Sequence, residues 1–129
     1  MDLFVTALFG GLFALMVFPM TAAVGLRRAR VRVLFRDGGD DTLLRLVRSH
    51  ANYLEYMPVT LILMAVAELN HAPDLFLYIT GTIFLLARVM HYLVLNFFDR
   101  PVFRIITMLA TTGVILTYAI WLLLYYWSH

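Results

Sequence analysis

The sequence predicts an all-α membrane protein built as a bundle of four transmembrane helices. Of its 129 residues, 63% are hydrophobic and 14% are charged, and the mean hydropathy is +0.86, values typical of a membrane protein rather than a soluble domain. The apolar residues form four segments, each near the roughly 20 residues that a helix needs to cross the hydrocarbon core. We therefore expect one domain, residues 1–129, with helices at about 3–32, 42–70, 75–98 and 101–127.

The first predicted helix, residues 3–32, has no charge between Leu3 and Leu26. Because Met-Asp rather than a basic stretch precedes this segment, we expect a retained membrane span and not a cleaved signal peptide. Pro19 lies within the span and removes one N–H group from the helical ladder, so we expect a kink there.

The first connection is rich in arginine and glycine. Arg27 and Arg28 are adjacent, arginines then alternate with apolar residues as far as Arg32, and Gly38 and Gly39 follow. Glycine tolerates the backbone angles of a turn, so the chain should reverse at this point. Asp40 or Asp41 can then cap the second helix, because a carboxylate suits the positive N-terminal end.

The second predicted helix, residues 42–70, carries polar groups into an apolar segment. Arg48, Asn52 and Glu55 recur at helical spacing, so a guanidinium, an amide and a carboxylate should share one stripe. Pro58 should bend the helix one turn further on. A charge buried in hydrocarbon costs roughly 2.5 kcal/mol or more, and ionisable residues in a membrane helix therefore indicate a functional site.

The third predicted helix, residues 75–98, is apolar until Arg88 and His91, which lie one turn apart on the same face. Arg88 is about 15 Å from the inner end of its helix, too far for its side chain to reach the interface. A charge at that depth needs an internal partner. We therefore expect an ion pair between Arg88 and Glu55, which lies at a similar depth on the second helix.

The turn between the second and third helices also carries ionisable groups. We expect Glu68 and His71 to be solvated rather than catalytic, as charged residues near a loop usually are. On this interpretation, Glu55→Gln should destabilise the protein more than Glu68→Gln, because it leaves Arg88 without its counter-charge.

The fourth predicted helix, residues 101–127, begins with a capping pattern. Asp99 can cap it, and Pro101 suits its first turn, where the missing N–H group is not needed. Arg100 and Arg104 lie four residues apart and should share one face of this helix.

The charges are distributed unevenly among the connections. All ten basic residues are arginine. Those around the first connection are Arg27, Arg28, Arg30, Arg32, Arg36, Arg45 and Arg48, whereas Arg100 and Arg104 flank the third. By the positive-inside rule, the first and third connections face the cytoplasm and both termini lie outside. Arginines beside a membrane span indicate topology or anionic-lipid contact, and we expect no nucleic-acid partner.

The polar residues favour an anion-binding site near the cytoplasmic interface. Arg48 and Arg104 should converge there with Arg27 or Arg28, close to one carboxylate. The sequence has no cysteine, which excludes disulfides and thiolate metal sites. The histidines of the second and third helices are too few for a recognisable metal site, so we expect no metal.

These motifs resemble those of the MAPEG family, the membrane-associated proteins in eicosanoid and glutathione metabolism. The resemblance rests on three stretches, which are Arg48-x-His-x-Asn52-x-x-Glu55-Tyr56-x-Pro58, Ala87-Arg88-Val-Met-His91 and Arg100-Pro-x-x-x-Arg104. It covers nearly the whole chain, and the short Asp37-Gly-Gly-Asp40 loop is most similar to the bacterial branch of the family.

The resemblance implies a homotrimer of four-helix subunits in a bacterial inner membrane, with three sites at subunit interfaces. Each site is expected to bind glutathione as co-substrate near the cytoplasmic side. By similarity to the family, the contacts come from Arg27, Arg48, His50, Asn52, Glu55, Tyr56 and His91. The position that matches Arg104 is held to activate the glutathione thiol.

The likeness predicts a glutathione-dependent transferase or peroxidase. A guanidinium beside the thiol favours the thiolate, which would attack a hydrophobic electrophile or reduce a hydroperoxide that enters from the membrane lipids. The chain departs from the family pattern at three positions. Leu95 stands where many members have tyrosine, and Ile105 and Met108 stand where some have hydroxyl side chains.

Two other functions fit parts of the sequence. One is a MAPEG-like protein that binds a lipid or thiol ligand without catalysis, which an activity assay would distinguish. The other is a small multidrug exporter, a four-span protein that carries a glutamate in its first helix. The first predicted helix of this chain has no glutamate, and Glu55 lies within a framework of arginine and asparagine.

Overall fold

The computed structural model describes residues 2–98 and 100–128, and this part of the chain is all-helical. The elements are α1 (Phe4–Val31), α2 (Asp41–Leu69), α3 (Asp74–Leu93), a π-helix (Val94–Phe98) that continues α3, and α4 (Pro101–Ser128). No strand occurs among the described residues. The observed helix ends lie within one residue of those expected from the sequence when the π-helix is counted with α3.

Three of the four helices are long and apolar enough to cross a membrane: α1, α3 with its π-helical extension, and α4. α2 is as long as the others but less apolar, because its first half carries the polar stripe around Asn52 and Glu55. The protein is therefore a helical membrane protein. Composition alone supports three of the four expected spans.

Aromatic side chains of α1 and α3 form the centre of the bundle. The ring of Phe13 is fully buried, and its centroid lies 5.1 Å from that of Phe84. The ring of Phe9 packs against Gly81, where the missing side chain leaves room for it. On the other side, Tyr53 of α2 donates its hydroxyl proton to the backbone carbonyl of Phe13 over 2.8 Å. These contacts hold α1 against both α2 and α3.

The first connection joins the arginine-rich ends of α1 and α2. Arg27 donates two hydrogen bonds to the carboxylate of Asp40, at 3.0 and 2.7 Å. Asp40 is also the cap of α2 and accepts the backbone N–H of Leu43. The bonds from Arg27 and then from Leu43 hold the pKa of Asp40 below its usual value. Gly38 and Gly39 have positive φ angles of 60° and 79°, as the predicted turn requires.

At the opposite end of the bundle, α2 closes onto the start of α1. The carboxylate oxygens of Glu68 accept backbone N–H groups of Val5 at 2.8 Å and of Thr6 at 2.7 Å. The expectation that Glu68 is simply solvated is therefore wrong. The first turn of a helix leaves N–H groups unpaired, and a carboxylate from a neighbouring helix satisfies them. His71 is exposed, as expected.

α4 packs along α3 over most of its length. Thr80 of α3 and Tyr118 of α4 join their hydroxyl groups in a buried hydrogen bond, which links the two helices within the apolar region. α4 begins at Pro101, in agreement with the predicted helix start. Asp99, the expected cap of this helix, lies outside the described residues.

Gly81→Ala should destabilise the bundle, because an added Cβ would lie 2.6 Å from the ring of Phe9. Overpacking of this kind typically costs about 1–3 kcal/mol. Gly113→Ala on α4 is the matched control, since a Cβ there meets nothing within 4 Å. The test is the melting temperature of both variants in detergent. A Gly81→Ala protein as stable as the control would contradict the packing of α1 against α3.

Glu68→Gln should destabilise the protein more than Glu55→Gln, the reverse of the order expected from the sequence. An amide cannot offer two acceptor oxygens to Val5 and Thr6, and the loss should amount to about 1 kcal/mol. Glu55 is exposed, so its variant should unfold like the unaltered protein. Thermal unfolding in detergent without ligand measures the difference, and equal melting temperatures would show that the Glu68 contacts do not stabilise the fold.

Candidate functional site

A cleft of about 220 Å³ lies between α2, α3 and α4, toward the end of the bundle that carries the first connection. Its lining residues are Arg48, Ala51, Asn52, Glu55, His91, Leu95 and Arg104. The structure thus brings together residues predicted from three separate segments of the sequence.

Helical spacing explains why these residues meet. Arg48, Asn52 and Glu55 follow one another at about one turn along α2, so their side chains line the same stripe. His91 lies near the end of α3. α4 begins at Pro101, which places Arg104 in its first turn opposite the polar stripe of α2.

Three residues to which the family resemblance assigned a contact lie outside this cleft. Arg27 is engaged in the ion pair of the first connection. His50 lies on another side of α2, where its Nε2 is 3.2 Å from the hydroxyl of Thr21 on α1. Tyr56 turns inward, and its ring centroid lies 5.4 Å from the guanidinium carbon of Arg88. These side chains of the chain are not part of the cleft.

Arg88 is a charged side chain that lies wholly inside the bundle, with 2% of its surface exposed. Its Nη1 donates to Oδ1 of Asn52 over 2.8 Å, and its Nη2 to the sulfur of Met108 over 3.6 Å. The rings of Tyr56 and Phe84 lie 5.4 and 6.0 Å from the guanidinium carbon, within the range of cation–π attraction.

The ion pair expected between Arg88 and Glu55 is not formed in the chain. Asn52 and Glu55 are three residues apart and therefore point about 60° apart around α2. Asn52 is the one that faces Arg88, whereas Glu55 is exposed at the cleft. Because Glu55 is exposed and does not pair with Arg88, its carboxylate is available to a ligand. The guanidinium Nε of Arg88 has no hydrogen-bond partner in the described part of the chain.

His91 connects the cleft to α4. It is 4% exposed, and its Nδ1 lies 2.8 Å from the hydroxyl of Thr107. Thr107 in turn donates to the backbone carbonyl of Arg104 over 3.0 Å. Thr107 is not among the residues predicted from the sequence. Its position three residues after Arg104, on the same face of the helix, is the signal that could have indicated it.

The π-helix after α3 is a second feature that the sequence did not predict. It begins at Val94, one turn after His91, and its wider turn changes the direction of the side chains that follow. The amide of Asn96 donates to the hydroxyl of Ser49 over 3.1 Å and to the carbonyl of Tyr92 over 2.8 Å. These bonds anchor the π-helix to α2 beside the cleft.

Two further spaces adjoin the cleft at Arg104. The first is a cleft of about 650 Å³ lined by four arginines, Arg45, Arg48, Arg100 and Arg104, together with Leu44, Val94, Leu95 and Pro101. The second is a groove of about 410 Å³ along α4, lined by Pro101, Arg104, Ile105, Met108, Leu109 and Thr112. Arg104 therefore lies where a positively charged space meets a mainly apolar one.

This arrangement is suited to an anionic ligand beside an apolar one. Guanidinium groups stay protonated and bind carboxylates through two parallel hydrogen bonds. Glu55 adds a negative group that can accept a hydrogen bond from an ammonium group. Among the described residues, no group of three His, Cys, Asp or Glu side chains could hold a metal ion.

The three departures from the family pattern have different surroundings. Leu95 forms part of the cleft wall. Ile105 is 59% exposed on α4, where it contributes to the apolar groove. Met108 contacts the buried guanidinium of Arg88 through its sulfur, so its side chain has a structural partner that a hydroxyl would not reach in the same way.

A family model covers most of the chain. The model described as the MAPEG family matches residues 6–124. The Inner membrane protein YecN of Escherichia coli strain K12 is 36% identical over 88 residues, which cover 68% of this chain and 67% of that protein. The YecN protein of Escherichia coli O6:H1 matches to the same extent. No solved structure matches the chain.

Proposed function

Because the chain belongs to the MAPEG family, we propose that it is an integral-membrane, glutathione-dependent transferase or peroxidase. The observation that carries this proposal is the position of Arg104, which lines the polar cleft, the four-arginine cleft and the apolar groove of α4. A hydrophilic thiol and a lipid-soluble substrate can therefore reach the same guanidinium from different sides.

Glutathione has the chemistry that the cleft residues would recognise. Its carboxylates pair with arginine side chains, and Arg48 provides one such anchor. Its ammonium group suits the carboxylate of Glu55. The polar cleft and the four-arginine cleft share Arg48, Leu95 and Arg104 as lining residues, so an extended tripeptide can lie across both.

Arg104 would favour the reactive form of the thiol. A free thiol has a pKa of about 8.5, and an adjacent positive charge favours the thiolate, which is the nucleophile. Arginine suits this role because it does not give up its own proton. The proton from the thiol passes to water, and the negative sulfur stays beside the guanidinium.

The thiolate then supports either of two reactions. In the transferase reaction, sulfur forms a bond to an electrophilic carbon, and the leaving group departs with its bonding electrons. In the peroxidase reaction, two glutathione molecules reduce a hydroperoxide to an alcohol and water, and they are oxidised to the disulfide. The groove of α4 beside Ile105, Met108 and Leu109 would admit the apolar substrate from the bilayer.

We extend the proposal to a homotrimer in which all four helices span the membrane. Burial of the polar stripe of α2 between subunits would remove it from lipid, which compensates for the lower hydropathy of this helix. Arg27 does not reach the cleft of its own subunit, and in the trimer it would serve the cleft of a neighbour. Native mass spectrometry in detergent should give the mass of three subunits, and a monomer mass would contradict this assembly.

The relatives support a location for the protein, and the arginines support an orientation. The Escherichia coli relatives are named inner membrane proteins, and we propose the same location here. The arginine-rich first and third connections then face the cytoplasm, with both termini outside. A C-terminal fluorescent reporter that matures only in the cytoplasm should stay dark, and a bright signal would reverse this orientation.

A second candidate function is ligand binding without turnover. The observation in its favour is Leu95, an aliphatic side chain in the cleft wall at a position where many family members have tyrosine. Loss of that hydroxyl leaves the thiol with fewer hydrogen-bond partners. Turnover of a model aryl electrophile by the purified protein distinguishes the two functions.

Isothermal titration of the purified protein with glutathione and with an S-alkyl analogue tests the proposed ligand. Both should bind, because the carboxylate and ammonium contacts do not depend on the thiol. Absence of both signals would remove the proposal.

Arg104→Ala and Arg48→Ala should have opposite kinetic effects. Loss of the group beside the sulfur should lower turnover on the order of a hundredfold with little change in substrate saturation. Loss of Arg48 removes an anchor for the bound ligand, so binding should weaken by about 1.5 to 3 kcal/mol. Titration with glutathione, thiolate absorbance against pH, and turnover of an aryl electrophile separate the two effects.

The control for this pair is Arg30→Ala, which removes an arginine on α1 outside the polar cleft. It should leave both the turnover and the affinity for glutathione unchanged. If Arg104→Ala keeps a normal thiolate signal and full turnover, the activating group is not Arg104. The remaining candidates are then His91, Arg100 and the arginines of the first connection other than Arg30.

A further inference from the structure

The hydrogen-bond pattern of the cleft depends on two side chains that can present either a donor or an acceptor. An asparagine amide can turn its oxygen or its NH₂ group toward a ligand, and a neutral imidazole can offer a protonated or an unprotonated nitrogen. Asn52 and His91 both line the cleft. Their orientation therefore decides which hydrogen-bonding groups of a ligand the cleft can bind.

Arg88 determines the orientation of Asn52. Its guanidinium donates to Oδ1 of Asn52 over 2.8 Å, and a guanidinium has no acceptor atom that could bond the NH₂ group. The amide oxygen of Asn52 therefore points to the buried side. Its NH₂ group points to the cleft as a hydrogen-bond donor.

Thr107 determines the tautomer of His91. The Thr107 hydroxyl has one proton, which it donates to the backbone carbonyl of Arg104 over 3.0 Å. Its oxygen then accepts a hydrogen bond from Nδ1 of His91, which lies 2.8 Å away. Both hydrogen bonds form together only if Nδ1 carries the proton, so Nε2 is the nitrogen left for the cleft.

The imidazole of His91 is neutral in this environment. The ring is 4% exposed, and its hydrogen-bond partner among the described residues is a hydroxyl rather than a carboxylate. Arg48, Arg104 and Glu55 line the cleft together with His91, and the guanidinium of Arg88 also lies close to the ring. A buried imidazolium without a bonded counter-charge would be costly. Nε2 is therefore an unprotonated acceptor.

We propose that Arg88 and Thr107 are positioning residues that set a mixed pattern of donors and acceptors in the cleft, an inference that rests on the proposed function. The donors belong to Arg48, Asn52 and Arg104, and the acceptors to Glu55 and His91. The matching ligand is a peptide-like thiol with carboxylates for the arginines, an ammonium group for Glu55 and an amide N–H for His91. A thiol acid without N–H groups leaves both acceptors unpaired.

The same pattern determines where the sulfur lies. The lone pair of Nε2 repels a thiolate, whereas the guanidinium of Arg104 attracts it. The sulfur is therefore held on the Arg104 side of the cleft, and His91 contacts an N–H group of the ligand. His91 positions the ligand and takes no proton from the thiol.

Nitrogen NMR of the protein with isotope-labelled histidine, without ligand, tests the tautomer. The His91 signals, assigned by their absence from His91→Gln protein, should show a protonated Nδ1 and an unprotonated Nε2. Thr107→Val should shift them toward the opposite tautomer, because the acceptor for Nδ1–H is lost. Thr107→Ser keeps the hydroxyl and should keep the original signals.

Thr111→Val is the matched control for this measurement. It removes another buried hydroxyl of α4, which donates to the backbone carbonyl of Thr107 over 2.9 Å, and it should leave the His91 signals in place. A protonated Nε2 in the unaltered protein would overturn the proposal. The proposal would also be overturned if the His91 signals of the Thr107→Val protein did not shift.

Isothermal titration with glutathione tests the consequence for the ligand. Thr107→Val should weaken binding about fivefold to tenfold, the scale of one hydrogen bond, and Thr111→Val should not change it. In Thr107→Val, the turnover at saturating glutathione should fall by a smaller factor than the affinity for glutathione. Unchanged affinity in Thr107→Val would overturn the positioning role. If the unaltered protein does not bind glutathione, the proposed function fails, and the NMR result alone decides the assignment of Thr107 and His91.

Discussion

The burial of one guanidinium among apolar helices is the constraint on which the rest of this structure depends. Arg88 is 2% exposed, and a charge in that position needs polar partners. α2 supplies an amide oxygen and an aromatic ring, α3 a second ring, and α4 a thioether. These contacts bring three helices together at one depth. They also require a polar residue on α2, which helps to explain why this helix is less apolar than the other three.

Carboxylates close both ends of the pair formed by α1 and α2. The candidate site lies on the side of α2 that faces α3 and α4. Asp40 caps α2 and binds Arg27, while Glu68 pairs with the N–H groups at the start of α1. Each carboxylate lies where a helix has unpaired donors and a partial positive charge. The polar stripe of α2 then faces the start of α4, where Arg104 meets both a charged cleft and an apolar groove. The proposed reaction of a hydrophilic thiol with a lipid-soluble substrate needs such a junction.

Much of the fold could be predicted because helix formation depends on local patterns. The lengths of the apolar segments, the glycines of the first turn and Pro101 at the start of α4 each determine a boundary through nearby residues. The cleft could be predicted in part for the same reason, since Arg48, Asn52 and Glu55 share a stripe in any α-helix. The charge distribution placed Arg104 at the same end of the bundle as Arg48, and the family resemblance then assigned it a role at the thiol.

The choice of partners was decided by the tertiary structure alone. About 60° of rotation around α2 separates Asn52 from Glu55, and the packing of α2 determines that the amide, not the carboxylate, contacts Arg88. The role of Glu68 depends on how the start of α1 meets the end of α2, and that of Thr107 on how α4 lies against α3. The sequence by itself determined which polar groups enter the bundle and on which helical face they lie. Which of them meet depends on the rotation and offset of whole helices, and these are set by side-chain packing across the bundle.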